Sequence, residues 1–332
     1  MAGDRTIAPD LRRAARWVPP LPLGHPRLLP LLSWLSRRSG PVATDGVRAT
    51  THPGPPAVRV YGPDRQRTDA ALLWIHGGGL VLGSVLLDDA RCGAIAAELG
   101  ITVVSVEYRL APVDPFPAAL DDCHAAWTWL LRSTDRLGID PHRIAVGGAS
   151  AGAGLAAALA QRLHDEAAAP EPRDQTGHPA APDPTGAEPG APGPTVQPAA
   201  QWLYYPMLDD RTAARRELDR PRHLVWSNRN NAVGWRSYLG REPGSTDLPP
   251  YAAPARRDDL AGLPTAWIGV GDVDLFHDED LAYAQRLRAA GVDVTVDVVR
   301  GAPHGFDGWA SGTRTADDFT TRAVTWLRTA LD

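Results

Sequence analysis

Four short stretches of this chain hold residue types in an order that could move an acyl group. In Arg143-Ile-Ala-Val-Gly-Gly-Ala-Ser150-Ala-Gly-Ala-Gly-Leu155, a serine stands between Gly148 and Gly152, after an apolar run and before a small-residue stretch. A strand, a sharp turn and a helix read that way lift a hydroxyl off a sheet, because only small neighbours permit the turn. His76-Gly77-Gly78-Gly79 follows a second apolar run and offers backbone N–H donors for a developing oxyanion. A serine hydroxyl is a poor nucleophile, so it also needs a base and a third group to orient that base.

The chain has ten histidines from which to draw the base. His304 lies in Arg300-Gly-Ala-Pro-His-Gly-Phe306, a loop after the last strand-like run and before the last helix-like one. The C-terminal ends of strands are where a doubly wound sheet places its working residues. His76 reads as a brace for its own loop. His25, His164, His178 and His223 read as surface residues, and His124 and His142 sit in a helix and a turn with no acidic partner implied. For the orienting acid, Gly271-Asp-Val-Asp-Leu-Phe-His-Asp-Glu279 offers Asp272, Asp274 and Asp278 just after a strand. Asp278 and Glu279 suit a helix N-terminus. Asp274, in the loop proper, is the first choice and Asp272 the reserve. Spacing alone does not separate them.

These residues need a frame to hold them. Ala57–Tyr61, Ala70–Ile75, Ile101–Tyr108, Ile144–Val146, Trp202–Tyr205, Thr265–Val270 and Val292–Val299 read as strands, several of them continuously apolar. Continuous apolar strands mean burial on both faces, as in parallel sheets covered by helices. Pro117–Leu131 and Asp317–Leu331 carry apolar residues at helical spacing. Alternation of the two types predicts a doubly wound, mostly parallel α/β sheet. Residues 1–45 read as two short helices that cannot form a core alone and serve as a cap, and residues 46–332 as the catalytic domain. Within the latter, residues 207–262, with Trp226 and Trp235, read as part of that helical cap, walling an apolar acyl pocket. Residues 167–200, with nine prolines, read as a disordered insertion.

Composition narrows the function further. Net charge is −5, lysine is absent, and no basic stripe offers a footprint for nucleic acid. Cys92 and Cys123 stand in no metal-ligand spacing, and isolated buried thiols are the expected reading. Pro30 interrupts the apolar stretch Leu28–Leu35, so neither a signal peptide nor a membrane span is expected, and the implied location is cytoplasmic. No metal or organic cofactor is implied. An exposed edge strand could pair two copies in a homodimer.

The motifs together make the chain resemble the hormonesensitive-lipase-like α/β-hydrolases, bacterial carboxylesterases with an HGGG motif. The resemblance rests on His76–Gly79, Tyr108–Pro112, Pro115–Asp122, Gly148–Gly152, Tyr251–Pro254, Gly262–Pro264, Asp274–Glu279 with Tyr283-Ala284, and His304–Phe306. It implies a small-molecule ester substrate of short to medium acyl chain and a catalytic triad of Ser150, Asp274 and His304, so that Asp274 is the orienting acid. It also implies oxyanion donors from the backbone of Gly78, Gly79 and Ala151. An amidase or peptidase would use the same triad, and some members of the fold bind ligands without catalysis. The chain departs from the family's usual residues at Ala149 (an acid), Ala153 (glycine), Leu80 (an aromatic) and Val113 (glutamate). None of these is a triad position.

Overall fold

Eight strands form one sheet in the order β1-β2-β4-β3-β5-β6-β7-β8. The computed structural model describes residues 6–19, 23, 29–36, 40–168, 196–220 and 223–332. The strands are β1 (Val47–His52), β2 (Val58–Pro63), β3 (Ala71–Ile75), β4 (Thr102–Val106), β5 (Ile144–Ala149), β6 (Ala200–Tyr204), β7 (Thr265–Gly271) and β8 (Val294–Val299). β2 runs antiparallel to β1 and β4, and every pairing from β4 across to β8 is parallel. β1 is the strand that sequence reading passed over. Its residues are exposed or half-buried at the sheet edge, so no apolar run marks it.

The parallel strands are buried because helices cover both faces. β3 sends Ala71, Leu73 and Ile75 into one apolar layer and Leu72 and Trp74 into the other. The first layer holds helices Ala118–Arg132, Ala151–Ala168 and His277–Ala289; the second holds Asp89–Leu99 and Arg314–Leu331. The second is strongly aromatic. Trp202 meets Trp74 at 5.7 Å and Tyr204 at 4.8 Å between ring centroids, and Tyr204 meets Trp267 at 4.9 Å and Phe319 at 5.5 Å. Gly269 makes room for this layer, since a Cβ there would lie 2.2 Å from the Trp267 ring. Trp202 Nε1 donates to the Ala323 carbonyl at 3.1 Å, fastening the last helix to the sheet. That helix begins at Arg314, three residues before the expected start, because Thr313 accepts from the Ala316 N–H as its cap.

The N-terminal segment supplies helices Arg12–Ala15 and Leu29–Ser36. Leu11 is buried in the aromatic layer, and the Ala8 N–H donates to the Gly301 carbonyl at 2.8 Å. Helix Ala151–Ala168 starts at the C-terminal end of β5 and carries the chain toward the opposite end of the sheet. It continues to Ala168, and Ala200 already belongs to β6, so both borders of the expected 167–200 insertion are regular structure. Residues 169–195 lie outside the described residues. Among the described residues, no helix is long and apolar enough to cross a membrane. Cys92 and Cys123 are free, buried thiols in opposite layers.

Helix His277–Ala289 corrects one expectation about acids. Asp278 is exposed and pairs with His277, but Glu279 turns inward and accepts from the N–H groups of Leu208 and Asp209 at 2.8 and 3.1 Å. It ties the loop after β6 to the helix rather than capping the helix. Asp280 is fully buried, and neither of its carboxylate oxygens has a hydrogen-bond partner among the described residues. Burial pushes the Glu279 carboxyl up to about 8, and burial with Glu279 and Asp274 nearby pushes Asp280 well above the usual carboxylate range.

Two outcomes follow from this packing. Trp202→Ala should lower the unfolding free energy by about 3–5 kcal/mol in urea titrations, through lost area and the cavity left behind. The second concerns pH. The unfolded chain releases the Glu279 proton near about 4.3, whereas the folded chain holds it to about 8. The stability this acid contributes is therefore complete below the first value and lost as pH rises toward the second. Glu279→Gln keeps a carbonyl acceptor, so it should raise the melting temperature by about 5 °C at about pH 8.5 and by under about 2 °C at about pH 5. Equal shifts at both pH values would contradict the protonated state.

Candidate active site

β3 and β5 are parallel neighbours, with Ile75 opposite Gly148, so the loops that follow them emerge at the same end of the sheet. Ser150 follows β5 directly with φ +56°, a left-handed conformation uncommon for a residue with a Cβ. The flanking glycines are needed because the end of β3 presses on this turn. A Cβ at Gly152 would lie 2.1 Å from the Ile75 carbonyl oxygen and 2.4 Å from that of His76. The turn is fastened to β6 and the segment beyond it. Ser150 N–H donates to the Tyr204 carbonyl at 2.9 Å, and the Ser150 carbonyl accepts from Gly154 and Met207 at 3.1 and 3.0 Å.

His304 reaches the serine from the loop after β8. Its Nε2 is 2.9 Å from Ser150 Oγ, and its Nδ1 is 2.8 Å from Asp274 Oδ2. The other Asp274 oxygen accepts from the Phe276 N–H at 3.0 Å. A carboxylate beside Nδ1 favours the proton there, which leaves the Nε2 lone pair facing the hydroxyl. All three side chains are buried, at 7% exposure or less. The two candidate acids are separated by their partners. Asp272 Oδ1 accepts from the Gly301 N–H at 2.6 Å and holds the turn after β8, while Asp274 takes the imidazole.

The glycine loop adopts the backbone that only its composition allows, with φ +119° at Gly78 and +62° at Gly79. Among the described residues the N–H groups of Gly78 and Gly79 meet no acceptor, and Ala151 opens its helix, where no intrahelical acceptor exists. A Cβ on Gly79 would fall 2.0 Å from the Trp226 ring, which closes over the loop. His76 braces this loop as expected. Its Nδ1 is 2.8 Å from the Gly77 carbonyl, its ring stacks on Tyr108 at 4.2 Å, and the Tyr108 hydroxyl donates to the His76 carbonyl at 2.9 Å.

Beside Ala151, Leu80, Leu155, Met207, Trp235, Tyr238 and Tyr251 line a tight apolar crevice with about 10 Å³ of free volume. Several neighbours of the site carried no signal in the sequence. Tyr205 and Phe276 pack on the His304 ring at 4.8 and 5.2 Å, both edge-on. Their positions, just past the ends of β6 and β7, were the available hint. His223 is not a surface residue: it is half-buried beside the Asp274 loop, hydrogen-bonded to the Val273 backbone, and burial lowers its pKa. His124 does have an acidic partner, Glu166, with Nε2 to Oε2 at 2.8 Å, joining two helices of the first layer. His25 and His178 lie outside the described residues. Among the described residues no group of histidine, cysteine and carboxylate side chains could hold a metal ion.

Comparison with known proteins agrees with this architecture. A family model described as alpha/beta hydrolase fold matches residues 72–308. Esterase LipI of Mycobacterium tuberculosis is 34% identical over 284 residues, which span 84% of this chain and 79% of that protein. The ethyl acetate hydrolase of Pseudomonas putida is 31% identical, over 79% of this chain and 74% of its own length. Among solved structures, a bacterial heroin esterase superposes with a TM-score of 0.81 at 32% identity, covering 98% of each chain. A family match across most of the sheet, with relatives above 30% identity over most of both chains, makes this protein a member of the α/β-hydrolase family, of the bacterial carboxylesterase type.

Proposed function

We propose that this carboxylic ester hydrolase works through a Ser150–His304–Asp274 triad and a covalent acyl-enzyme. The observation that carries the reading is the unbroken line from Asp274 Oδ2 through His304 to Ser150 Oγ, with links of 2.8 and 2.9 Å. In the first half-reaction His304 Nε2 takes the hydroxyl proton as Oγ attacks the ester carbonyl. Asp274 stabilises the imidazolium that forms. Negative charge on the carbonyl oxygen is received by the N–H groups of Gly78, Gly79 and Ala151, each worth roughly 3–4 kcal/mol in the transition state. His304 then protonates the departing alcohol, and a water attacks the acyl-enzyme with His304 again as base.

The apolar walls beside the nucleophile's turn support a preference in acyl-chain length. The crevice beside Ala151 is apolar but tight, with Trp235, Tyr238 and Tyr251 as walls, which favours a short to medium acyl chain over a long one. The name of one relative, an ethyl acetate hydrolase, points the same way. In this reading residues 207–262 form a cap together with the N-terminal helices. Burial of Trp226 against Gly79, and of Leu29 in the apolar layer shared with Trp226 and Trp235, supports that role.

Two measurements test the reading. Ser150→Ala should lose more than about 10³-fold in hydrolysis of p-nitrophenyl acetate, with an unchanged melting temperature and no labelling by a fluorophosphonate probe. Retained turnover in that variant would remove the serine from the mechanism. Across a p-nitrophenyl ester series, kcat/KM should be highest for acetyl to hexanoyl groups and fall for decanoyl. A rate that climbs steadily with chain length would reject this limit on acyl length.

A further inference from the structure

We propose that Tyr205 is a positioning residue for His304, held in place through its hydroxyl by a buried Asp307–Arg91 pair. The inference rests on the reading of His304 as the base. The imidazole ring must keep Nε2 toward Ser150 and Nδ1 toward Asp274 at once, yet it sits on a loop beside Gly305, whose φ is +68°. Two rings confine it. Phe276 is fully buried and fixed by the surrounding apolar layer. Tyr205 is held differently: its φ is +36°, outside the common backbone regions, and its hydroxyl donates to Asp307 Oδ1 at 2.8 Å.

Asp307 is well placed to serve as the anchor. It lies in the short helix Phe306–Trp309 that directly follows the His304 loop, and its side chain is 1% exposed. A carboxylate so deeply buried is costly unless paired, and Arg91 Nη2 meets Oδ2 at 2.5 Å. Arg91 comes from helix Asp89–Leu99 and lies over the rings of Trp74 and Tyr204, at 5.6 and 4.9 Å. The contacts close a circuit: His304, its own loop, Asp307, the Tyr205 hydroxyl, and the Tyr205 ring back on the imidazole. Burial and the Asp307 carboxylate push the Tyr205 phenol well above its ordinary range, so the hydroxyl stays a donor throughout the working pH range. Tyr204, the preceding residue, accepts the Ser150 N–H. The end of β6 thus locates both the nucleophile's backbone and the base's ring.

The test uses the full chain with p-nitrophenyl acetate. Tyr205→Phe keeps the ring but frees it, and should lower kcat about 10-fold with KM within about twofold and a melting temperature within a few degrees of the parent. Tyr205→Leu removes the ring and should lower kcat about 100-fold. Fluorophosphonate labelling of Ser150 should slow in the same order. Asp307→Ala cuts the same tether, so adding Tyr205→Phe to it should cost little more. If Asp307→Ala does not fold, the two Tyr205 variants decide alone. Parent kcat in Tyr205→Phe, a loss confined to KM, or losses that multiply in the double variant would each overturn the inference. If Ser150→Ala is inactive while Tyr205→Phe runs at the parent rate, only this inference falls. An active Ser150→Ala removes the triad reading beneath it.

Discussion

The parallel pairing of β3 with β5, which sets Ile75 opposite Gly148, decides where the reactive atoms stand. It brings the end of one strand against the turn that ends the other, so closely that Gly152 has no room for a methyl group. The two loops that follow, one with a serine hydroxyl and one with free N–H groups, are neighbours for this reason. Moving either strand by one residue would also turn every side chain to the opposite layer. The aromatic layer on one face and the aliphatic helices on the other therefore protect the register as well as the stability.

The remaining parts of the site are brought to that point by longer routes. His304 arrives from β8 and Asp274 from β7, and short links between neighbouring strand ends hold them. Asp272 clasps Gly301, Asp274 clasps the imidazole, and Glu279 clasps the loop after β6. Each link sets a side chain that follows one strand against the backbone or ring of a neighbouring connection. The cost is a cluster of buried carboxyls, and burial raises the pKa of both Glu279 and Asp280, favouring their uncharged forms.

What could be read from the sequence was local. Ser150 and the glycines announce themselves because a strained turn restricts composition within a few residues, and the buried parallel strands are visible as apolar runs. Asp272 and Asp274 were equivalent by spacing, because their difference lies in what stands thirty residues away, the Gly301 N–H for one and His304 for the other. The resemblance to a family made that choice, and in the structure it is Asp274 that faces the imidazole. β1 was missed because an edge strand facing solvent has no apolar pattern to show. The burial of Glu279 against Leu208 and Asp209, and of His223 beside Val273, depends on segments far apart in the chain, which no short window of sequence records.

Helix Ala151–Ala168 begins under the serine and ends some ~27 Å away at 1.5 Å per residue, and β6 then returns the chain to the site through Tyr204 and Tyr205. Ala168, where the helix ends, and Ala200, where β6 begins, therefore lie toward the end of the sheet remote from the serine. The helix and β6 act as two rods of fixed length that meet at one point, the first starting at the nucleophile's turn and the second finishing at the ring against His304. A shift at their far ends reaches the reactive atoms only by moving a whole element.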